Sequence, residues 1–248
     1  GFDGLEWDVG AASGHIRLAP YADDAQRRKH EAAAVGLPVC ALSASATVAM
    51  LDRPSVAALL EACALCGAPL ARVFAPPFDA GRPVEEQLAA VTQALRAHAT
   101  YLRAHGLRLV IELSEETLIP SPELLRRVCG DLDAALVGGL YDPANMRVEG
   151  HLDPAYAVSL LGPYLHHMHA KNEIVVAEQG RWRPTIVPLD QGLVAWPRVF
   201  TALRQGGYGG WIVLDHLSAE PSDARLRADG EMLRSLSRAG GGAAGPPV

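Results

Sequence analysis

Four short apolar runs in this sequence each end on a side chain able to bind a cation. L-R-L-V-I-E stops at Glu112, A-L-V-G-G-L-Y-D at Asp142, L-H-H-M-H at His169 and W-I-V-L-D at Asp215. Runs of this length and apolarity read as strands buried on both faces. Pro143 cannot continue a ladder, so the second run must end where its acid is delivered. A polar group at the carboxyl end of a buried parallel strand is where α/β folds place their chemistry. Three carboxylates brought together without a cation would repel, and protons would bind to relieve the repulsion. A divalent ion removes that penalty and acts as a Lewis acid on hydroxyl and carbonyl oxygens. Mixed oxygen and nitrogen donors suit Mn²⁺, Mg²⁺, Co²⁺ or Zn²⁺ without choosing among them, and Mn²⁺ is taken as the first candidate.

Around this set stand residues with two readings each. Glu6, near the end of the first apolar run, faces either a barrel mouth, where it would touch substrate, or a buried ion pair. Arg72 on a later run binds an anionic group or closes an internal ion pair. His15, in a polar loop, is a candidate substrate contact. His166 and His167 read as packing neighbours of His169, and His98 as a structural member of a helix stripe. Cys63 and Cys66 form a lone C-x-x-C with no second pair to complete a zinc site. Their spacing continues the apolar face of Val56, Leu59 and Leu60, so core packing is expected.

Strands and helices alternate to position these residues. Helices are expected over 21–35, from 54 to 66, over 83–105, from 122, from 154, over 195–205 and from 222 to 238. Gly36, Gly67 and Gly106 supply stops, and Ser121, Asp153 and Ser222 supply caps. Strands are expected over 1–7, 37–42, 70–75, 107–113, 135–142, 164–171 and from 211. A long polar loop over 172–192 carries Arg181, Trp182 and Arg183, which would form a lid over an anionic substrate or a solvated loop. Seven strand–helix units can be counted, one short of a closed (β/α)₈ barrel. A first unit of about 30 residues is therefore expected to lie outside the sequence given. No composition break divides the chain, so residues 1–238 read as one domain, and 239–248 as a disordered Gly/Pro tail.

Composition narrows the classes. The 248 residues are 49% hydrophobic and 20% charged, as in an ordinary globular protein. A net charge of −6 argues against a broad nucleic-acid surface. No apolar run is long enough to span a bilayer. Four cysteines that read as small core residues point to a cytoplasmic protein.

Six motifs, in order, resemble the xylose isomerase-like TIM barrels, which include sugar isomerases and epimerases, dehydratases and endonuclease IV. They are G-F-D-G-L-E-W, the run 36–42, L-R-L-V-I-E, Y-D-P-A-N-M-R-V-E-G, H-M-H-A-K-N, and P-L-D-Q-G-L-V-A-W-P followed by G-Y-G-G-W-I-V-L-D. The resemblance implies a (β/α)₈ barrel with Glu112, Asp142, His169 and Asp215 as metal ligands. It also implies substrate contacts from Asn145 and Lys171. Glu112 and Asp215 would move a proton at a carbon next to a carbonyl of a sugar-like substrate, and Lys171 would stabilise the enediolate. Loss of water, as in inosose or 3-dehydroshikimate dehydratases, is the alternative outcome, and a non-catalytic, partner-dependent barrel is another. Homodimers or homotetramers are implied by analogy. Asp215 stands where the family has Glu, Ser114 where many members have His, and Asn172 where Asp is usual.

Overall fold

The computed structural model describes residues 1–10, 14–44, 50–146, 152–215, 222–239 and 246–248. Seven strands of three to six residues run parallel: β1 (Leu5–Gly10), β3 (Val39–Ala44), β4 (Leu70–Phe74), β5 (Arg108–Glu112), β6 (Val137–Tyr141), β7 (Leu165–Ala170) and β10 (Ile212–Leu214). The two-residue β2 (Ile16–Arg17) pairs with the end of β1, giving the order β10-β7-β6-β5-β4-β3-β1-β2. The helices are α1 (Ala22–Ala34), α2 (Arg53–Cys66), α3 (Val84–His105), α4 (Pro122–Cys129), α5 (Pro154–Leu161), α6 (Trp196–Gln205) and α7 (Asp223–Arg238). This is a curled parallel sheet backed by helices, the architecture of a (β/α)₈ barrel.

Local chemistry explains the element ends. Gly67 and Gly106 take the left-handed conformation and return their N–H groups to Cys63 and Leu102. Ser121 and Asp153 accept hydrogen bonds from the first turns of α4 and α5, each followed by a proline at the first helical position. The long α3 places Glu85 and Glu86 in its first turn and Arg103 and His105 in its last, matching the helix dipole.

Strand alternation divides the residues between two cores. Leu42, Val73, Leu109, Ile111, Tyr141 and Met168 face the helices, where Leu59, Leu95, Leu125, Val199 and Phe200 meet them. Cys63, Cys66 and Cys129 are buried in that layer as free thiols, so the C-x-x-C is core packing. Burial holds the Cys66 thiol up at about 11 and that of Cys129 at about 12, so both stay protonated and inert. On the other face Ala41, Leu70, Val110 and Leu140, with Trp211 and Val213, form a smaller apolar layer. The acidic and basic residues occupy the same face one residue pair further along the strands.

Three expectations change. The first strand begins at Leu5 rather than Gly1 and runs on through Asp8, which carries a second acid on the Glu6 face. The polar stretch after His169 is no loop: β8 (Asn172–Glu178) and β9 (Arg181–Val187) form an antiparallel hairpin. Its two-residue turn has Gln179 at φ 49° and Gly180 at φ 75°, the twist that hairpins favour. The last residues, expected to be disordered, meet the sheet instead. Val248 is 5% exposed, its carbonyl accepts from the Asp3 N–H at 2.7 Å, and the Pro247 carbonyl accepts from the Ile212 N–H at 3.0 Å. They lie between the start of β10 and the residues leading into β1, beside a cavity of about 190 Å³ that Leu5, Trp211 and Val248 help to line. Residues 240–245 of the tail and 147–150 of the sixth-strand motif lie outside the described residues.

Candidate metal centre

Glu112, Asp142 and His169 leave the ends of β5, β6 and β7, adjacent strands in the sheet. Register brings them level: Glu112 pairs with Leu140, and Tyr141 with Met168. Strand alternation turns His167 and His169 to the same inward face, and at the bulge where β6 meets β7 the unpaired His166 meets the Val137 carbonyl. Two glycines make the close approach possible. A Cβ on Gly138 would lie 1.9 Å from His166 Cδ2, and one on Gly139 would lie 2.2 Å from Leu125 Cδ2.

One donor atom from each of Glu112, Asp142 and His169 lies within 4.8 Å of the others, and all three residues are buried. Asp215, at the end of β10, is less buried, with its Oδ2 3.7 Å from His169 Nδ1. Glu112 Oε2, Asp142 Oδ2 and His169 Nδ1 are each buried without a hydrogen bond, the first two lying instead against the cations Arg72 and Lys171. A buried imidazole nitrogen without a partner is rare, and one set beside two buried carboxylates fits a cation. Their chemistry, two carboxylate oxygens and an imidazole nitrogen, suits a divalent ion.

Neighbouring groups hold these side chains in place. Asp142 Oδ1 accepts from the Ala144 N–H at 2.8 Å. Asn145 donates to Glu112 Oε1 at 3.1 Å and to the Leu113 carbonyl at 3.0 Å. Lys171 Nζ lies 2.5 Å from Asn145 Oδ1 and 3.1 Å from Asp142 Oδ2. Arg72 Nε stands 3.1 Å from Glu112 Oε2, and its Nη1 donates to the Ala44 carbonyl at 2.7 Å. Arg72 is thus in an internal ion pair. Glu6 is also internal: its oxygens meet His167 Nε2 at 2.6 Å and His169 Nε2 at 3.0 Å. Glu6, His167 and His169 also gather close enough to hold an ion, but these contacts already join them. His15 lies apart, exposed, against the Trp7 ring at 5.1 Å and accepting from the Asp8 N–H at 3.2 Å.

The electrostatics follow from burial and charge. Burial pushes Asp142 up to about 6, Lys171 opposing the rise and Glu112 and Asp215 adding to it. Burial alone would lower His169, but Glu6, Glu112 and Asp215 raise it to about 9. Burial would raise Glu6, yet His169 and His167 hold it well below the usual carboxylate range. Burial likewise opposes the charge on Lys171, and Asp142, Asp215 and Glu112 overcome it.

Sequence reasoning passed over Asp8 and Ser43. Burial raises the Asp8 carboxyl, with Arg72 and His15 opposing, and Ser43 links Glu6 to Arg72. The alternation E-W-D, with Asp8 two residues beyond Glu6 on the same face, was a legible signal for the first. Nothing marked the second. Asn172 holds the hairpin base, donating to the Leu189 carbonyl at 2.7 Å and accepting from the Val194 N–H at 2.8 Å.

A family model described as a xylose isomerase-like TIM barrel matches residues 1–236. A D-tagatose 3-epimerase-like protein shares the fold with a TM-score of 0.75 at 17% identity, over 95% of this chain and 88% of that one. The 3-keto-D-glucoside 4-epimerase of E. coli gives 0.69 at 20% identity, over 95% and 89%. A probable 3-DHS dehydratase from Bacillus anthracis gives 0.67 at 16%, over 89% and 84%. At such identities the likeness is one of fold. No match is found among curated proteins.

Proposed function

The chain belongs to the xylose isomerase-like TIM-barrel family, and on that premise we propose that it is a divalent-metal-dependent sugar isomerase or epimerase. The observation that carries this reading is the gathering of one donor atom each from Glu112, Asp142 and His169 within 4.8 Å of one another at the carboxyl ends of adjacent strands, with His169 Nδ1 buried and without a hydrogen bond. Charge supports it. Glu6, Glu112, Asp142 and Asp215 face the cations Arg72 and Lys171, and once His169 gives up its second ring proton to bind, two negative charges among these groups are in excess. One divalent ion supplies the balance. Glu112, Asp142, His169 and Asp215 would hold it, with Mn²⁺ as the first candidate.

When bound, the ion polarises a neighbouring hydroxyl and carbonyl of a polyhydroxy substrate. Glu112 and Asp215, on β5 and β10, are the carboxylates that take a proton from the carbon beside the carbonyl and return it. Asn145 holds the Glu112 carboxylate in place through Oε1. Lys171, its ammonium kept charged by Asp142, would stabilise the oxygen that gains charge as the enediolate forms.

The test joins metal binding to proton exchange. Purified protein titrated with Mn²⁺ should take up one ion, and a panel of ketoses in D₂O should acquire deuterium at one carbon. Glu112→Gln should lose turnover by at least about 10²-fold with its circular dichroism unchanged, because an amide cannot accept the proton. Full activity in that variant would remove Glu112 from the chemistry. Deuterium uptake accompanied by an ultraviolet-absorbing conjugated product would reassign the enzyme as a dehydratase. Absence of bound metal and of exchange would support a non-catalytic barrel.

A further inference from the structure

Resting on the metal-centre reading, we propose that Glu6 is the positioning residue of the site: its carboxylate fixes the ring orientation and tautomer of His169, so that Nδ1 presents a lone pair to the ion. Glu6 sits on β1, five places along the sheet from β7 in the order β7-β6-β5-β4-β3-β1, yet its side chain crosses the barrel interior to reach His169. An imidazole has two nitrogens, and only the one without a proton can ligate. His169 Nε2 lies 3.0 Å from Glu6 Oε1, and a carboxylate oxygen can only accept. A proton is therefore required on Nε2, and in the neutral ring Nδ1 is the nitrogen left bare. That atom has no hydrogen bond and faces Glu112 Oε1 at 3.9 Å and Asp215 Oδ2 at 3.7 Å.

The carboxylate is itself over-determined. His167 Nε2 lies 2.6 Å from Oε2, and the Ser43 hydroxyl hydrogen bonds to Oε1. Ser43 Oγ in turn accepts from Arg72 Nε at 3.1 Å, and the same Nε lies 3.1 Å from Glu112 Oε2. Glu6 thus steadies two prospective ligands from beneath, His169 directly and Glu112 through Ser43 and Arg72. Its side chain is only 8% exposed, beside the cavity that it lines with Cys40. A carboxylate on the far nitrogen of a metal-bound histidine fixes the ring and raises its basicity.

Three measurements decide the matter. In Zn²⁺-loaded wild-type protein labelled with ¹⁵N-histidine, the His169 ring should carry its proton on Nε2 and none on Nδ1; a proton on Nδ1 overturns the proposal without any variant. Glu6→Leu, which removes the acceptor, should weaken Mn²⁺ binding by about 10–100-fold, read by electron paramagnetic resonance of free Mn²⁺. Glu6→Gln keeps an oxygen acceptor for His169 and should recover most of that affinity. Wild-type affinity in Glu6→Leu would overturn the proposal. Equal losses in both variants would also overturn it, since they would trace the effect to charge and not to orientation. Failure of the wild-type protein to bind Mn²⁺ or Zn²⁺ sinks the metal centre itself, whereas failure confined to the Glu6 variants leaves that reading standing.

Discussion

His169 answers to two partners that want opposite things. Glu6, Glu112 and Asp215 raise it to about 9 in the metal-free protein, so near neutral pH the ring is protonated on both nitrogens. A cation can bind only the deprotonated Nδ1, so binding must expel a proton. One proton should therefore be released per Mn²⁺ at pH 7.5, and affinity should rise about tenfold per pH unit up to about 9. Calorimetry in buffers of different ionisation enthalpy reads the proton directly; no dependence on buffer would place His169 outside the ligand set. The same shift has a stability sign. A group whose pKa is raised on folding stabilises the protein fully below its unfolded value, about 6.5 for histidine. That contribution is lost as pH climbs through 9. The metal-free protein should accordingly melt at lower temperature at pH 9 than at pH 6.5, with excess Mn²⁺ narrowing the difference.

At the scale of elements, the site depends on how closely β6 is approached on both faces. Gly138 admits the His166 ring and the Tyr164 carbonyl, and Gly139 admits Leu125 of α4. Alanine at either position is over-packed, a class of change that costs about 1–3 kcal/mol. The two should not cost the same. At Gly139 the obstacle is the far end of a leucine side chain, which can yield. At Gly138 the Tyr164 carbonyl would be 2.4 Å from the new methyl, and backbone cannot yield so readily. Gly138→Ala should therefore be the more destabilising in urea titration, and the reverse order would mean that the β6–β7 bulge relaxes easily. The hairpin β8–β9 is set by comparable packing at its base, where a Cβ on Gly192 would lie 2.1 Å from Asn172 Oδ1. Gly192→Ala should disturb the hairpin and leave the Glu112, Asp142 and His169 cluster in place, which the Mn²⁺ affinity of the variant would report.

For the molecule as a whole, a ligand that binds only the folded state adds stability by mass action. At Mn²⁺ a hundredfold above its dissociation constant the gain is about 2.7 kcal/mol, worth about 5–10 °C in melting temperature for a chain of this size. A chelator should return the melting point to its starting value, and a shift that survives Asp142→Ala would locate the ion elsewhere. The sheet itself supplies the frame. Seven parallel strands aim one face at a common interior, with an apolar layer beneath the charged one. Among the described residues no ladder joins β10 to β1. That seam is spanned by the Trp211 ring against Gly4, where a Cβ would lie 2.7 Å from the ring, and by the contacts of Pro247 and Val248 with Ile212 and Asp3.

By itself the sequence determined the repeated strand–helix pattern, the helix ends at Gly67, Gly106, Ser121 and Asp153, and the arrival of Glu112, Asp142, His169 and Asp215 at strand termini. These are local matters of apolar period, backbone conformation and capping, so they can be read residue by residue. The hairpin after Asn172 was local too, its Gln179–Gly180 turn standing in plain view, but the polarity of its strands concealed it. Tertiary structure decided the rest. The link of Glu6 to His169 joins residues 163 apart, and Arg72 and Lys171 became partners of Glu112 and Asp142 only when the strands came level. Which side chain satisfies which depends on strand order, register and the bulge at His166, and those are settled by the packing of distant segments against one another.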